Sequence, residues 1–351
     1  MLKHWWKFLG VAILIYVFIF GLTVPLKTGI SAVSPQSART SETLQLQVKG
    51  YNTSYTQSAD QIRAWLKMDA TTALASSAIQ VTSDRDLQLQ FNIPAYLPSS
   101  KRVQDFTLLI DHPTDGAHVY PSAVFITQDS IDPSMAQQVW ANAEIGGLHE
   151  KAGITFPFRN ILGETIRNTY FHVAIWFAMV FMFIGGLNHS IRFLRGSQLE
   201  RDIKAAAYTR VGILLGILGI TTGGIWANFT WGIFWSGDVK QNMTAIALLI
   251  YLAYFVLRNA FDDPEKKARI SAVYNIFAFA ALIPLIYVIP RMTDSLHPGA
   301  GGNPAMGGED LDNTMRMVFY PAIIGWTLLA AWITQLTYRL ELLRQRDDLD
   351  W

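Results

Sequence analysis

Apolar residues in this 351-residue chain are concentrated in six long blocks, each close to the ~20 residues that a helix needs to cross a bilayer. The predicted spans are 8–25, 170–187, 211–226, 243–257, 271–289 and 317–336. The third and fourth have only 16 and 15 residues, which would allow the segment that joins them to dip into the bilayer. The pattern predicts an all-α, six-span polytopic membrane bundle.

The segment 27–165 has a different pattern and is rich in Ser, Thr, Gln and Ala. Residues 43–48 and 87–93 alternate between polar and apolar positions, as half-buried strands do. Residues 106–110 and 123–127 are further β-type runs, and 112–116 reads as a turn. Several short strands of this kind predict a β-sandwich domain inserted between spans 1 and 2.

The expected domain organisation follows from these two patterns. It consists of a first transmembrane helix at 1–26, the inserted β-rich domain at 27–165, a five-helix transmembrane domain at 166–340 and a tail at 341–351. The first span could instead be a cleaved signal peptide. We favour its retention, because its apolar stretch exceeds the roughly 7–15 residues of a signal peptide and no small-residue cleavage site follows.

Lys and Arg predict the orientation, because short cytoplasmic loops collect them. Fourteen Lys and Arg residues lie in the segment before the first span, the loops 188–210 and 258–269 and the C-terminal tail. Only 3 lie in the loops 227–242 and 290–316. Both termini are therefore expected in the cytoplasm. The inserted domain and the loops 227–242 and 290–316 are expected on the extracytoplasmic side.

Composition narrows the function classes. Apolar residues make up 51% of the chain and charged residues 16%, which disfavours an ordinary soluble enzyme. The net charge of +1 gives no electrostatic basis for binding nucleic acid. Because Cys is absent, disulfides, thiolate metal sites, Cys nucleophiles and covalent CxxCH haem attachment are excluded.

The outward segment 226–242 is the first candidate for chemistry. Trp226, Trp231 and Trp235, with Phe229 and Phe234, place five large aromatic side chains within ten residues. An interfacial aromatic belt would explain them. So would a platform for a flat, apolar ligand, because aromatic faces offer a large and rigid contact area.

Asp238 closes this segment just before the fourth span. With Gln241 three residues later, it resembles a capping box, and a carboxylate suits the positive end of a helix dipole. We therefore expect Asp238 to have a structural role rather than an acid/base role.

Two of the seven histidines are expected at the outer membrane surface, close to the tryptophans. His172 lies at the outer end of the second span, and His297 lies in the loop after the fifth span. The other outward histidines, His112, His118 and His149, are expected to be surface or turn residues of the inserted domain. A histidine at a helix end is often only interfacial, but two beside an aromatic platform make axial haem ligation an alternative. Nearby methionines such as Met292 compete as ligands.

The sequence resembles the heme exporter protein C family of cytochrome c maturation. That family has an outward loop of the form WGxxWxWD, which 231–238 resembles, and one histidine on each side of this loop in the chain. Further similarity lies in 170–173 (family pattern YxHVP), in 260–263 (AFDD) and around His297. The resemblance as a whole covers the first span and roughly residues 165–340.

The resemblance implies a non-enzymatic, haem-handling protein of the bacterial inner membrane. His172 and His297 would be the axial ligands of a non-covalent haem b. Trp226, Trp231, Trp235, Phe234 and Asp238 would form the loop that cradles the macrocycle. The implied partners are ABC-type maturation subunits, a small membrane helper and a periplasmic haem chaperone that receives the haem.

The chain also departs from the family pattern. Gly237 stands in place of the last Trp of the motif, and Phe234 stands where Trp is common. Met292 and Thr293 replace a Trp pair, and typical members have only a short loop in place of 27–165. These differences predict weaker retention of haem rather than a loss of contact with it.

Three other functions remain open at this point. A haem-transport and synthetase subunit of the other maturation system shares the Trp loop, but it generally needs additional histidines in its spans. A b-type electron-transfer subunit would need pairs of ligands inside spans. A non-haem membrane anchor for the outer domain would use the aromatic residues only as a belt.

The orientation predicts a labelling pattern for introduced thiols. In intact cells, a membrane-impermeant maleimide should label Lys240→Cys but neither Arg201→Cys nor Lys267→Cys, because the last two lie in Lys- and Arg-rich loops. The Cys-free parent chain provides the background. Labelling of Arg201→Cys before cell lysis would contradict the orientation.

Overall fold

The computed structural model describes residues 4–69, 72–140, 145–297 and 311–347. These residues form two compact units. One unit is Pro25–Glu164, and the other combines Met1–Val24 with Thr165–Trp351.

The unit Pro25–Glu164 contains two β-sheets and a short helix, α2 (Pro133–Trp140). The strands are β1 (Gly29–Ser34), β2 (Ser37–Arg39), β3 (Thr43–Tyr51), β4 (Arg63–Lys67), β5 (Ala73–Ala75), β6 (Ala78–Val81), β7 (Asp86–Asn92), β8 (Val103–His112) and β9 (Gly116–Thr127). One sheet has the order β1-β3-β7-β6, and the other has the order β2-β9-β8-β4-β5. Apolar side chains from both sheets contribute to one buried core.

The alternation seen in the sequence correctly predicted the central strands. In β3 and β7 every second side chain is buried, and Leu46 pairs with Leu89 in the antiparallel register. The strands β8 and β9 form the expected hairpin around a turn at 113–115.

The expected sandwich between spans 1 and 2 is wrong. The structure instead has a β-rich domain of two sheets in the N-terminal part of the chain. One of these sheets is mixed, because β2 pairs in parallel with β9. This strand has three residues, and its partner lies far along the chain. Local alternation carries no information about such a pairing.

Two histidines that were expected at the surface are buried in this unit. His112 and His118 are 0% and 2% exposed and lie on the hairpin of β8 and β9. Burial lowers the pKa of His118 to about 4, although the nearby Asp115 carboxylate acts in the opposite direction. The expectation failed because a turn signal says nothing about which sheet face is covered.

The other unit is helical. Its helices are α1 (Trp5–Thr23), α3 (His172–Gly196), α4 (Leu199–Trp231), α5 (Val239–Asn259), α6 (Pro264–Ile283), α7 (Ile289–Met292) and α8 (Asn313–Asp347). Among the described residues, six helical segments are long and apolar enough to cross a membrane, in agreement with the six predicted spans. The chain is a multi-pass membrane protein.

The third and fourth spans are longer than predicted. Helix α4 has 33 residues and α5 has 21, so the structure gives no short pair of spans. The apolar block at 211–226 ends where polar and aromatic residues begin, but the helix continues to Trp231 because its backbone hydrogen bonds do not require apolar side chains.

A row of glycines on α4 packs against large side chains of α3 and, at Gly216, also against Leu248 of α5. The facing pairs are Gly212–Phe183, Gly216–Met179, Gly219–Trp176 and Gly223–His172. A Cβ atom added to Gly219 would lie 2.7 Å from the Trp176 ring. Small residues at this spacing let two membrane helices approach closely, so the row fixes how α3 presents His172.

The unit Pro25–Glu164 has its own core and is expected to fold as a separate fragment. A fragment 25–164 should give a β-type far-UV circular dichroism spectrum and a single cooperative unfolding transition. A random-coil or helical spectrum would contradict this expectation.

The buried His118 predicts how the stability of that fragment depends on pH. The pKa of His118 is lower in the folded than in the unfolded state, so protonation favours unfolding. The stability that the neutral side chain contributes is complete above about pH 6.5 and is lost as the pH falls towards 4. This pKa shift corresponds to about 3 kcal/mol in the free energy of unfolding. His118→Phe should flatten the unfolding free energy measured by urea titration between these pH values, whereas the exposed Gln47→Ala should not. An unchanged slope in His118→Phe would be evidence against this assignment.

Candidate functional site

The carboxylate of Asp238 connects the start of α5 to the loop that follows α7. It is the N-cap of α5 and accepts a hydrogen bond from Lys240 N at 2.8 Å. It also accepts bonds from Ser295 Oγ at 2.8 Å and Leu296 N at 2.8 Å. The side chain is 2% exposed. The predicted capping role is confirmed, and the carboxylate in addition anchors a second segment.

The predicted capping box is only half formed. Gln241 does not return a bond to the backbone of Asp238; its Oε1 accepts from the N–H and the hydroxyl of Ser236 at 3.0 and 3.1 Å. Its amide therefore stabilises the turn before the helix rather than the cap itself.

His297 is oriented by the same carboxylate. Its Nδ1 lies 2.9 Å from Asp238 Oδ1. Because an ionised carboxylate only accepts, Nδ1 carries the proton and Nε2 keeps its lone pair. No hydrogen bond to this Nε2 is found within the described ranges. A carboxylate that accepts from Nδ1 in this way fixes a metal-binding imidazole in the tautomer whose Nε2 can bind the metal.

Two pKa shifts agree with this arrangement. Burial would raise the pKa of Asp238, but the bonds from Leu296 N–H, Ser295 and Lys240 N–H lower it below its ordinary value. Burial lowers the pKa of His297, and the nearby Lys240 ammonium lowers it further, while Asp238 opposes both. The pair is therefore a carboxylate beside a neutral imidazole at neutral pH.

Two of the predicted tryptophans surround the ring of His297. Its centroid lies 5.0 Å from that of Trp231, with the planes at 77°, and 6.1 Å from that of Trp226. Trp226 and Trp231 are also in contact, at 5.0 Å. These aromatic side chains thus form a cluster around one histidine.

His172 is the first residue of α3 and is also held in one tautomer. Trp176 Nε1 donates to His172 Nε2 at 3.2 Å, and His172 Nδ1 lies 3.1 Å from Thr222 Oγ1. An indole N–H can only donate, so Nε2 is the acceptor and Nδ1 carries the proton. The hydroxyl of Thr222 donates to the backbone of α4 and accepts from Nδ1.

A single turn of α4 contacts both histidines. His172 lies against Gly223, whose added Cβ would be 2.6 Å from Cε1, and Trp226 contacts His297. Positions 223 and 226 are neighbours on one face of a helix. The structure therefore brings His172 and His297 to adjacent positions on α4.

The predicted aromatic loop is shorter than expected. Trp226 and Trp231 belong to α4, so the non-helical part of 226–242 is 232–238. Phe234 packs on Gly224, and Trp235 Nε1 donates to Asn242 Oδ1 at 3.1 Å. In the part of the chain that the structure describes, neither ring contacts a histidine.

Three residues of the site were not singled out by sequence reasoning. Trp176 follows His172 by one helical turn, a spacing that predicts contact on a helix. Thr222 and Ser295 could not be found in this way, because each contacts its partner across a tertiary interface. Gly223 and Gly224, beside the aromatic rings, receive His172 and Phe234.

Comparison with known proteins decides the family. The family model for heme exporter protein C matches residues 133–351. The chain belongs to the heme exporter protein C family. The matched region includes every helix of the candidate site but leaves out strands β1 to β9.

Individual proteins that are similar to this chain support the same family. The chain is 30% identical over 186 residues to heme exporter protein C of Bradyrhizobium diazoefficiens, covering 52% of this chain and 69% of the relative. It is 25% identical over 184 residues to that of Paracoccus denitrificans, covering 52% and 76%. It is also similar to the cytochrome c biogenesis protein CcsA of Parasynechococcus marenigrum, with 34% identity over 91 residues, 26% of this chain and 29% of the relative.

Membership in this family gives the protein a membrane role in cytochrome c maturation and haem handling. The carboxylate-anchored His297, the second histidine and the aromatic cluster lie in the part of the chain that carries the similarity.

The double role of Asp238 predicts the effect of its removal. Asp238→Ala should lose the helix cap, which contributes about 0.5–2 kcal/mol, and also release the segment 295–297. We expect a lower Tm in detergent and faster hydrogen exchange at the amides of Leu296 and His297.

Asp263→Ala is the matched control, because Asp263 caps α6 through Lys266 N. It should lower the Tm without affecting exchange at 296–297. Equal exchange at these amides in both variants would contradict the anchoring role.

Proposed function

We propose that this protein binds one haem b non-covalently at its extracytoplasmic side and passes it to a periplasmic haem chaperone. His172 and His297 are the proposed axial ligands. Trp226, Trp231, Trp235, Phe234 and Asp238 form the proposed surroundings, and Asp238 acts through His297. The protein traffics haem without catalysing a covalent step.

The observation that carries this proposal is the common tautomer of the two histidines. Each has its Nδ1 proton directed to an oxygen of a fixed partner, Asp238 or Thr222, which leaves Nε2 as the basic nitrogen. Neutral imidazoles that present Nε2 are the donors that haem iron takes. The residues present therefore fit the group.

The surroundings of the histidines support the same ligand. When bound, haem supplies an iron with two axial positions, a large aromatic face and two carboxylates. Trp226 and Trp231 offer flat apolar area at His297. The ammonium of Lys240 lies close enough to His297 to lower its pKa, so a cation is available for a carboxylate.

The cellular setting is part of the proposal. Membership in the family favours the bacterial inner membrane, and the Lys and Arg distribution favours both termini in the cytoplasm and Pro25–Glu164 outside. The proposed partners are ABC-type subunits and a small membrane helper of the same maturation system, together with the lipid bilayer; nucleic acid is not among them.

The similarity to CcsA favours one second candidate, a haem-transport and cytochrome c synthetase subunit of the other maturation system. The matched segment, however, is only 29% of that relative. The longer match to heme exporter protein C favours delivery.

Replacing either proposed ligand tests the function. In purified full-length protein, His297→Ala and His172→Ala should each convert a low-spin haem absorption spectrum to a high-spin one or lose the haem. Each variant removes one axial nitrogen, so added imidazole should partly restore the low-spin spectrum.

His189→Ala is the control, because this histidine belongs to the same helix, α3, but is not a proposed ligand. It should keep the wild-type spectrum. A normal low-spin spectrum in His297→Ala would overturn the assignment and point to another ligand, such as Met292.

A further inference from the structure

The two histidines differ in what occupies their Nε2 atoms. Trp176 Nε1 donates to Nε2 of His172 at 3.2 Å, with the ring centroids 6.0 Å apart and the planes at 83°. The lone pair of His172 that would bind iron thus already accepts a hydrogen bond. At His297, the hydrogen bonds found among the described residues involve Nδ1 and the backbone N–H.

The second difference lies at Nδ1. His297 donates to a carboxylate that is 2% exposed, and such a bond strengthens the imidazole as a ligand. His172 donates to the neutral hydroxyl of Thr222, which gives less support to its basicity. Both differences make His172 the weaker donor.

We propose that Trp176 competes with haem iron for Nε2 of His172, so that His172 is the exchangeable ligand and His297 the anchored one. This inference rests on the proposed function and adds an order of release to it. His172 would therefore be the side chain that releases the iron first, and its freed Nε2 would again accept the Trp176 N–H.

The position of Trp176 supports a standing competition rather than a chance contact. Its indole packs on the glycine row of α4, where an added Cβ at Gly219 would lie 2.7 Å from the ring. The ring is also one helical turn from His172 on the same helix. Packing of the indole against Gly219, one turn from His172, therefore keeps its N–H within reach of Nε2.

Trp176→Phe tests the competition. Phe keeps an aromatic ring against Gly219 but has no N–H to donate. Haem loss from the purified full-length variant to an excess of apomyoglobin should be about fivefold slower than from the wild type, the factor that one hydrogen bond of about 1 kcal/mol gives. The low-spin fraction of the absorption spectrum should also rise.

Trp326→Phe is the matched control, because the indole N–H of Trp326 is buried without a hydrogen-bond partner among the described residues. It should leave both readings unchanged. An equal effect of Trp326→Phe would attribute the change to packing and overturn the inference.

A double variant separates this inference from the proposed function. In a His172→Ala background, Trp176→Phe should have no further effect, because the contested nitrogen is gone. If His172→Ala removes the low-spin spectrum but Trp176→Phe releases haem at the wild-type rate, the competition is refuted and the function stands. If His172→Ala keeps the low-spin spectrum, the ligand assignment fails and the inference fails with it.

Discussion

The ionised carboxylate of Asp238 is the constraint on which the candidate site depends. It caps α5, binds the backbone of Leu296 and holds Nδ1 of His297. A buried carboxylate needs partners to compensate for its lost hydration, and here those partners come from two separate segments of the chain. The need to satisfy one charge therefore fixes the helix start, the loop and the tautomer of His297 together.

Close packing of α3 on α4 positions the other half of the site. The glycine row allows the helices to approach until His172 and Trp176 lie directly on the α4 backbone. Thr222, one residue before Gly223, then lies within reach of Nδ1. The two histidines are thus held by different physical means, one by charge and one by shape, and this difference underlies the proposed order of release.

The sequence predicted those features that depend on local pattern. Apolar length gave the six spans, alternation gave β3 and β7, and the position of Asp238 before an apolar block gave the helix cap. Features that depend on tertiary contact were missed or wrong. The contact of Asp238 with His297 crosses 59 residues, the burial of His118 depends on sheet packing, and the end of α4 lies beyond its apolar block.

In the proposed site, two neutral imidazoles of different strength would hold one haem iron. The most direct measurement is the electron paramagnetic resonance spectrum of the purified full-length protein with one equivalent of ferric haem. We expect a single low-spin signal of bis-imidazole type, accompanied by a minor high-spin signal from molecules in which His172 is released. A purely high-spin signal, a low-spin signal of histidine–methionine type or two distinct low-spin signals would contradict this ligation.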